Sequence, residues 1–326
     1  MAAPRRCRSG GAALLLAMLT VALVSTMATA ALWQQWRAVE VEKAERQRAQ
    51  AGWILVGALD WARLILREDE RGNRLNGNAD HLGEPWALPL EEARLSSFLA
   101  ADRDNNADAV LPAFLSGRII DQQSRLNFLS LVRPSDAGAQ TDVQISKPDR
   151  AALARLYDVL NLPSAELDEA AQKLLQAQRR VSDGTPSSGA PLVPVRFAQL
   201  AWLGISENSL LALEPFVTVL PERTPVNLNT ARAEVLVASL PGLGLADAQK
   251  LVLARDREPW RDLGDVARLQ PALANQLQAE RHALRSRFFE VRGQLRLETL
   301  VIEERSLVVR NDLQVSVLWR ERFTTR

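Results

Sequence analysis

The sequence AALLLAMLTVALVSTMATAALW at residues 12–33 decides the architecture, because no charged side chain interrupts it and none follows before Arg37. At about 1.5 Å per residue, a helix of this length crosses the ~30 Å hydrocarbon core of a bilayer. Trp33 and Trp36 lie at its far end, and indole rings favour the membrane interface. The stretch therefore predicts a transmembrane segment, which we place at residues 12–36.

The short segment before this run is basic, since it contains Arg5, Arg6 and Arg8. Basic residues next to a membrane span favour the cytoplasmic side. The sequence therefore predicts one membrane crossing, with the N-terminus in the cytoplasm and the rest of the chain on the other side.

Three interpretations of this N-terminus are open. A cleavable secretory signal would be cut near the small residues Ala28-Thr29-Ala30, although its apolar core is usually only about 7 to 15 residues long. An uncleaved signal anchor needs no processing. The third interpretation begins from Gly10 and Gly11, which lie between the basic residues and the apolar run. This arrangement resembles the class III leader of type IV pilins and pseudopilins, which a prepilin peptidase cuts after the glycine, so that Ala12 becomes the first mature residue.

The residues after the membrane run favour the third interpretation over the cleavable signal. No proline occurs from Arg37 to Arg67, and charges of both signs alternate there as on a solvated helix. Apolar residues then recur at helical spacing. They are Ile54, Ala58, Trp61 and Ile65, with Leu55, Leu59, Ala62 and Leu66 beside them. The pattern predicts one helix from Ala12 to about Leu66, on the order of 80 Å long, whose second half packs on a sheet.

Composition restricts the class of protein. The 326 residues include 40 basic and 39 acidic side chains, a balance that argues against a surface built for a polyanion. Cys7, the one cysteine, lies in the basic leader, so no disulfide is expected in the remainder. His81 and His282 are the two histidines, and the sequence has no glycine-rich phosphate loop, nucleophile elbow or His/Cys metal cluster. We therefore predict that the chain is not an enzyme.

The remaining pattern predicts helices in the middle of the chain and strands at its end. A short helix is expected at Glu91–Ala101, and a hairpin at residues 118–129. From Pro148 to about Arg285 the apolar period is helical, with a last helix reaching about Leu284 and His282 on its surface. After Phe288 the period becomes two, which predicts about three antiparallel strands.

One loop is a candidate calcium site. Oxygen-bearing side chains alternate along it at Asp102, Asp104, Asn106 and Asp108. Alternating oxygen ligands suit a hard cation. The match to an EF-hand loop is incomplete, because Ala107 replaces the turn glycine and Ala113 the bidentate glutamate. A solvated acidic loop is the interpretation that we favour.

Several motifs taken in order resemble the K-type minor pseudopilins of the bacterial type II secretion system. They are the class III leader, Gly-Glu-Pro-Trp-Ala-Leu-Pro at 83–89, Ile120-Asp121 through Asn127, Val-Asn-Leu-Asn-Thr-Ala at 226–231 with Leu-Pro-Gly at 240–242, and the final strands. The resemblance implies an α+β fold, in which a long N-terminal transmembrane helix packs on an antiparallel pilin-like sheet. It also implies an inserted all-α domain, similar to SAM-like or helix-hairpin-helix domains.

The same resemblance implies a function, a location and partners. A K-type subunit would lie in the inner membrane as a single-pass protein with periplasmic domains, at the tip of the pseudopilus. It would prime assembly of this fibre and so support export of folded proteins across the outer membrane. Its partners would be the I- and J-type minor pseudopilins, the major pseudopilin, the prepilin peptidase and the inner-membrane secretion platform. No cofactor is expected, apart from the calcium that is reported for family members, and methylation of Ala12 is left open.

The residue at position five of the predicted mature chain, Leu16, bears on the place of the subunit in the fibre. Most pilins have a glutamate there, which is thought to pair with the amine of a neighbouring subunit, whereas this chain has Leu16. An unpaired charge at that depth costs about 2.5 to 3.5 kcal/mol on insertion scales. K-type members lack the glutamate, in agreement with a subunit that has no neighbour above it.

The expected domains follow from these observations. They are a class III leader at 1–11, the transmembrane segment at 12–36, the first part of the pilin-like domain at 37–145, the all-α insertion at 146–285 and the C-terminal pilin-like strands at 286–326.

The alternative function is a membrane-anchored helix-hairpin-helix protein that binds DNA. Asn-Leu-Asn-Thr-Ala, Leu-Pro-Gly-Leu-Gly and the nearby Lys250, Arg255 and Arg257 resemble that motif. Neighbouring acidic residues, however, nearly neutralise these cations, whereas phosphate binding requires a positive surface. We therefore predict that nucleic acid is not a partner.

Overall fold

The computed structural model describes residues 10–77, 79–94, 113–135, 143–183, 191–297 and 300–325. The helices are α1 Gly10–Asn76, α2 Lys147–Val159, α3 Ser164–Asp183, α4 Glu207–Leu213, α5 Ala233–Ser239, α6 Leu245–Arg257 and α7 Leu263–Leu269. The strands are β1 Leu90–Arg94, β2 Ala113–Asp121, β3 Leu126–Asn127, β4 Val132–Pro134, β5 Val143–Ile145, β6 Val217–Thr218, β7 Val226–Asn227, β8 His282–Ala283, β9 Phe288–Leu297, β10 Leu300–Asn311 and β11 Gln314–Thr325.

Helix α1 is the first element in the described part of the chain and has no break near Trp33. It continues to Asn76, ten residues beyond the predicted end at Leu66. The chain divides into two compact units, Met1–Val56 and Gly57–Arg326. The predicted long N-terminal helix is therefore confirmed as one element of secondary structure.

The second unit contains a five-stranded antiparallel sheet in the order β1-β2-β9-β10-β11. The predicted C-terminal meander is its β9-β10-β11 part. In the turn between β10 and β11, Asp312 adopts a φ of 53°, a left-handed conformation that Asp tolerates. The expected fold class, a long apolar helix with an antiparallel sheet, is confirmed.

Two local predictions about the region before β9 are wrong. The predicted helix at 91–101 begins instead as β1, an edge strand paired with β2. The predicted hairpin at 118–129 does not form, because β2 pairs with β1 and β9, whereas β3 pairs in parallel with β6. In both cases the pairing partner is distant in sequence, so local periodicity could not identify it.

The part of α1 in the second unit packs on one face of this sheet. Leu59, Ala62 and Leu66 are buried together with Phe289 and other side chains of β9, β10 and β11. Trp61, which the apolar pattern placed on the same wide face, is instead 59% exposed. The stripe of Leu59, Ala62 and Leu66 thus forms the contact with the sheet.

The segment between β5 and β9 is mainly helical and has its own apolar core, to which α2, α3, α5 and α6 contribute. Its predicted last helix is wrong, because α7 ends at Leu269 and a short 3-10 helix, turns and β8 follow. His282 lies in β8 and is 1% exposed, so it is not the surface residue that was expected. The domain boundaries at 145/146 and 285/286 remain predictions.

Candidate functional site

The first candidate site is the apolar part of α1. Its large apolar side chains from Leu14 to Trp36 are between 57% and 69% exposed. The hydroxyls of Thr20, Thr26 and Thr29 donate to backbone carbonyls three or four residues earlier, at 2.8 to 2.9 Å. Such bonds satisfy hydroxyl groups without water. By length and composition, α1 is long and apolar enough to cross a membrane.

The predicted processing site lies in the first turn of this helix, since α1 begins at Gly10. Ala12 and Leu16 are exposed, Leu16 by 66%. Cleavage between Gly11 and Ala12 and the role of Leu16 remain predictions. The four candidate calcium ligands, Asp102, Asp104, Asn106 and Asp108, lie outside the described residues, so calcium binding there also remains a prediction.

The second candidate site is a buried cluster of charges around Arg310, which lies in β10 and is 2% exposed. Its guanidinium donates to Asp69 Oδ2 at 2.8 Å, to Asp80 Oδ1 at 2.5 Å and to the Ser286 carbonyl at 2.9 Å. Its Nε lies 3.6 Å from Glu70 Oε2. One arginine therefore connects the end of α1, the loop after it and the residues before β9.

The ionisation of this cluster depends on burial and on neighbouring charges. Burial raises the pKa of Asp69 to about 7, and the nearby carboxylates of Glu84 and Asp80 act in the same direction, against Arg310. For Glu70 burial also raises the pKa, but hydrogen bonds from Arg285 and Arg74 outweigh it, so that the pKa is lowered. Glu70 accepts from Arg285 at 2.6 and 2.8 Å.

Asp69, Asp80 and Glu84 place carboxylate oxygens within 4.8 Å of one another, close enough to share a cation. Arg310 contacts Asp69 and Asp80 directly, and Glu84 accepts from the Trp86 indole at 2.7 Å. The guanidinium thus supplies the positive charge that the cluster requires. We interpret the cluster as a structural ion-pair network.

The third candidate site is a fully buried hydrogen-bond network around Asp121, at the end of β2. Asp121 Oδ2 accepts from Ser286 Oγ at 2.6 Å, from Thr230 Oγ1 at 2.5 Å and from Asn227 Nδ2 at 3.1 Å. Asn227 Nδ2 also donates to the Asp80 carbonyl at 3.2 Å, and the Ser286 amide donates to Asp80 Oδ2 at 2.6 Å. The network therefore connects the sheet, the helical segment and the loop after α1.

The Asn-Leu-Asn-Thr motif at 227–230 forms most of this network. Thr230 donates to Asp121, and Asn229 exchanges two hydrogen bonds with the backbone of Trp260, at 2.9 and 3.1 Å. Neither Asn229 nor Thr230 caps the helix that follows, because the residue at the N-cap of α5 is Arg232, which forms no side-chain capping bond.

Of the three cations that the DNA-binding alternative assigns to the turn between α5 and α6, Arg257 alone is exposed without an ion-pair partner among the described residues. Gly242 adopts a φ of 82°, as the tight turn needs. Arg255, however, is 4% exposed and donates to the Leu228 carbonyl. Lys250 is held by Asp247 at 2.8 Å. The turn therefore packs α5 against α6.

A groove with a volume of about 1080 Å³ lies beside the Asp121 network. One side is formed by β2 and the other by the start of α5 and by α6. Five of the lining residues are arginines, namely Arg118, Arg125, Arg232, Arg255 and Arg292. The acidic residues of the lining are Asp121, Glu214 and Glu234, so the arginines outnumber the carboxylates there.

The sequence indicated some of these residues and missed others. The motifs at 83–89 and 226–231 pointed to Glu84 and Asn227 without showing what they bind. Arg310 was missed, because it directly follows the apolar run Leu307-Val308-Val309 and precedes the polar Asn311 and Asp312, as a surface arginine at a turn would. Nothing in the sequence indicated the groove.

The fold and these networks define a pilin-like fold, in which an antiparallel sheet packs on the part of α1 in the second unit and buried polar groups join a helical segment to the sheet. Residues 226–285 match the family model described as Type II secretion system (T2SS), protein K. The matched segment contains the Asn227 motif and Trp260, whereas Asp80, Asp121 and Ser286, the other partners of the motif, lie outside it.

Curated relatives and a solved structure agree with this match. The chain is 28% identical to type II secretion system protein K of Pseudomonas aeruginosa, over 95% of this chain and 88% of that protein. It is 25% identical to protein K of Pectobacterium carotovorum subsp. carotovorum, over 97% of each. A chain from the crystal structure of the GspK-GspI-GspJ complex of enterotoxigenic Escherichia coli has a similar fold, with a TM-score of 0.62 and 20% identity, over 87% of this chain and 99% of that one. The predicted resemblance to the K-type minor pseudopilins of the type II secretion system is confirmed, and the DNA-binding alternative has no support among these matches.

Proposed function

We propose that this chain is a K-type minor pseudopilin, which joins I- and J-type subunits at the tip of the type II secretion pseudopilus and primes assembly of the fibre. The observation that carries the proposal is the single helix α1, whose first part is apolar and exposed and whose residues Leu59, Ala62 and Leu66 pack on the sheet. A secretory signal that is cleaved off does not need to be continuous with a helix that packs on the sheet of the mature protein.

The similarities support this proposal from two directions. The two curated relatives match nearly the whole chain. The Escherichia coli structure is a complex of GspK with GspI and GspJ. The helical insertion adds bulk that a thin fibre does not accommodate in every subunit, and Leu16 replaces the glutamate that pairs with a neighbour.

The proposal includes a location. The N-terminus lies in the cytoplasm because Arg5, Arg6 and Arg8 precede the span. The span lies in the inner membrane, and the sheet and the helical insertion lie in the periplasm. The prepilin peptidase, the major pseudopilin and the secretion platform are then the remaining partners.

Processing gives a decisive test. In a host with a prepilin peptidase, the mature chain purified from membranes should begin at Ala12, as determined by mass spectrometry. Gly11→Leu should block processing and abolish complementation of a secretion defect in a strain that lacks its own K-type gene. Ala30→Tyr, which disrupts the alternative secretory cleavage site, should change neither the N-terminus nor secretion.

The opposite pattern would refute the proposal. A mature chain that begins at Ala31, with Ala30→Tyr blocking its release, would identify a secreted periplasmic protein. An unprocessed chain in both variants would identify a plain signal anchor.

A further inference from the structure

The groove beside β2 contains more positive charge than the protein itself compensates. Arg118 of β2 lies directly opposite Arg292 of β9 in the antiparallel register, and Arg292 lies opposite Arg305 of β10. Like charges directly opposite each other in a sheet are destabilising. Arg292 is paired with Glu290 and Arg305 with Glu303. Within the part of the chain that the structure describes, no side chain forms an ion pair with Arg118.

Arg125, four residues after β2, adds a second uncompensated charge. Its side chain is half-buried on the groove, and no described residue forms a hydrogen bond or ion pair with its guanidinium. Burial lowers the pKa of Arg125, in part against Glu290, and Arg292 lowers it further. Partial burial of an unpaired guanidinium costs free energy, and an anion that binds to the guanidinium offsets this cost.

Arg255 on the opposite wall has an incomplete set of partners as well. Its side chain is 4% exposed, and its Nε has no hydrogen-bond partner. The carboxylate of Asp256 is 3.8 Å from that Nε, which is beyond hydrogen-bond distance. The positive potential of the groove therefore comes from both of its sides.

Apolar side chains also line the groove, which is large enough for a segment of polypeptide. Ile120, Pro215, Val252 and Leu253 line the groove, and Leu253 is 60% exposed. Its volume of about 1080 Å³ lies at the upper limit of the roughly 300 to 1,000 Å³ that is usual for small-molecule sites. Apolar walls with separated arginines suit a chain that alternates apolar and acidic side chains.

Nucleic acid fits the same surface less well. Single strands bind to exposed aromatic rings and to an unbroken row of cations. Trp86 is the aromatic residue among the described lining residues, and it is 1% exposed. Glu214 and Glu234 lie among the arginines and would repel a continuous phosphate backbone.

We propose that this groove binds an extended, acidic segment of a partner protein, with carboxylates on Arg118 and Arg125 and apolar side chains against Ile120 and Leu253. Carboxylates form charge-assisted, bidentate hydrogen bonds with guanidinium groups. The inference goes beyond the proposed function and does not depend on it, because the binding can be measured with this chain alone.

The test uses the full chain in detergent micelles and fluorescence anisotropy. The probe is a hexapeptide of alternating leucine and aspartate that carries an uncharged dye, and its control has asparagine in place of aspartate. We expect the acidic peptide to bind at least tenfold more tightly than the neutral one. Arg125→Gln should weaken binding of the acidic peptide about tenfold, and Arg125→Lys, which keeps the charge, should weaken it less.

Two further variants separate binding from folding. Arg118 is exposed and lies opposite Arg292, so Arg118→Gln should not lower the unfolding temperature and should still weaken binding severalfold. Arg257→Gln removes an exposed arginine of α6 outside the groove and should bind as the unaltered chain does. Equal binding of both peptides, or equal binding by the Arg118, Arg125 and Arg257 variants, would overturn the proposal. Arginine-dependent binding of a 20-nucleotide single strand in preference to the acidic peptide would also overturn it.

Discussion

At the residue scale, Arg310 is a buried cation that holds three carboxylates of the second unit together. It is 2% exposed and is paired with Asp69, Glu70 and Asp80. Its guanidinium also lies 4.9 Å from the centre of the Phe289 ring. A buried pair adds little stability compared with an apolar replacement of both partners, but removal of one partner leaves an unpaired buried charge.

We therefore expect Arg310→Met to lower the free energy of unfolding by about 3 to 5 kcal/mol. The measurement is urea denaturation of the full chain in detergent, followed by circular dichroism. Arg268→Met is the matched control, because Arg268 is 78% exposed and pairs with Asp265 at the surface. The control should change stability by less than about 0.5 kcal/mol, and an equal effect of both variants would contradict the prediction.

His282 should make the protein sensitive to acid. Burial lowers the pKa of His282 to about 4, and Arg281 contributes in the same direction. The unfolded chain, with a histidine pKa near 6.5, therefore binds a proton that the folded chain does not bind. Stability contributed by the neutral imidazole is present above pH 6.5 and is lost as the pH falls toward 4. From pH 7 to pH 5 the loss should be about 2 kcal/mol.

The prediction is tested by comparing unfolding at pH 7 and pH 5 in the unaltered chain and in His282→Asn. Asparagine keeps an acceptor for the Gln278 amide, which donates to His282 Nδ1 at 3.2 Å. Between pH 7 and pH 5, the His282→Asn variant should lose less stability than the unaltered chain. The same substitution at His81, the other histidine, is the matched control, and an equal change in both variants would show that the effect is not specific to His282.

At the element scale, some apolar residues of α1 pack against the sheet and others lie at the surface. Leu59, Ala62 and Leu66 are buried, whereas Trp61 is 59% exposed. Large exposed aromatic side chains are enriched at the centres of protein interfaces. We expect Trp61 to contact an I- or J-type subunit in the proposed tip complex.

Trp61→Ala should therefore weaken association with those subunits about tenfold or more, without a change in the unfolding temperature. Copurification of the three subunits from membranes at several expression levels measures the effect. Trp202→Ala is the matched control, because Trp202 is 47% exposed in the helical segment. Unchanged copurification of the Trp61 variant would show that this face of α1 does not bind the partners.

At the scale of the whole molecule, the Asp121 network joins the sheet to the helical insertion. Asp121 belongs to β2, whereas Thr230 and Asn227 belong to the motif before α5. Burial raises the pKa of Asp121 to about 6, although the hydroxyls of Ser286 and Thr230 lower it. Because these groups have no access to water, the two parts of the unit should not unfold separately.

We expect a single unfolding transition for this unit, and a coupling free energy of about 1 to 3 kcal/mol between Asp121→Asn and Thr230→Val in a double-mutant cycle. Thermal unfolding followed by circular dichroism and by tryptophan fluorescence measures both quantities. Val235→Ala, in the core of the helical segment, replaces Thr230→Val in the control cycle. Its effect on the free energy of unfolding should add to that of Asp121→Asn. Two separated transitions, or additivity of the Asp121 and Thr230 substitutions, would show that the insertion is an independent domain.

The sequence by itself determined the elements whose signal is local. The apolar run from Ala12, the absence of proline after it and the alternating period after Phe288 were enough to predict α1 and the C-terminal meander, because helix and strand periods are properties of neighbouring residues. The order of short motifs was enough to indicate the family.

Tertiary structure decided everything that depends on a distant partner. Residues 90–94 form β1 because β2 pairs with them. The orientation of α1 on the sheet leaves Trp61 exposed. Tertiary structure also buried His282 and brought Asp121 and Asn227, 106 positions apart, within 3.1 Å. Local sequence does not encode which residues meet across such separations, since the chain must fold before their hydrogen bonds and charges can stabilise one another.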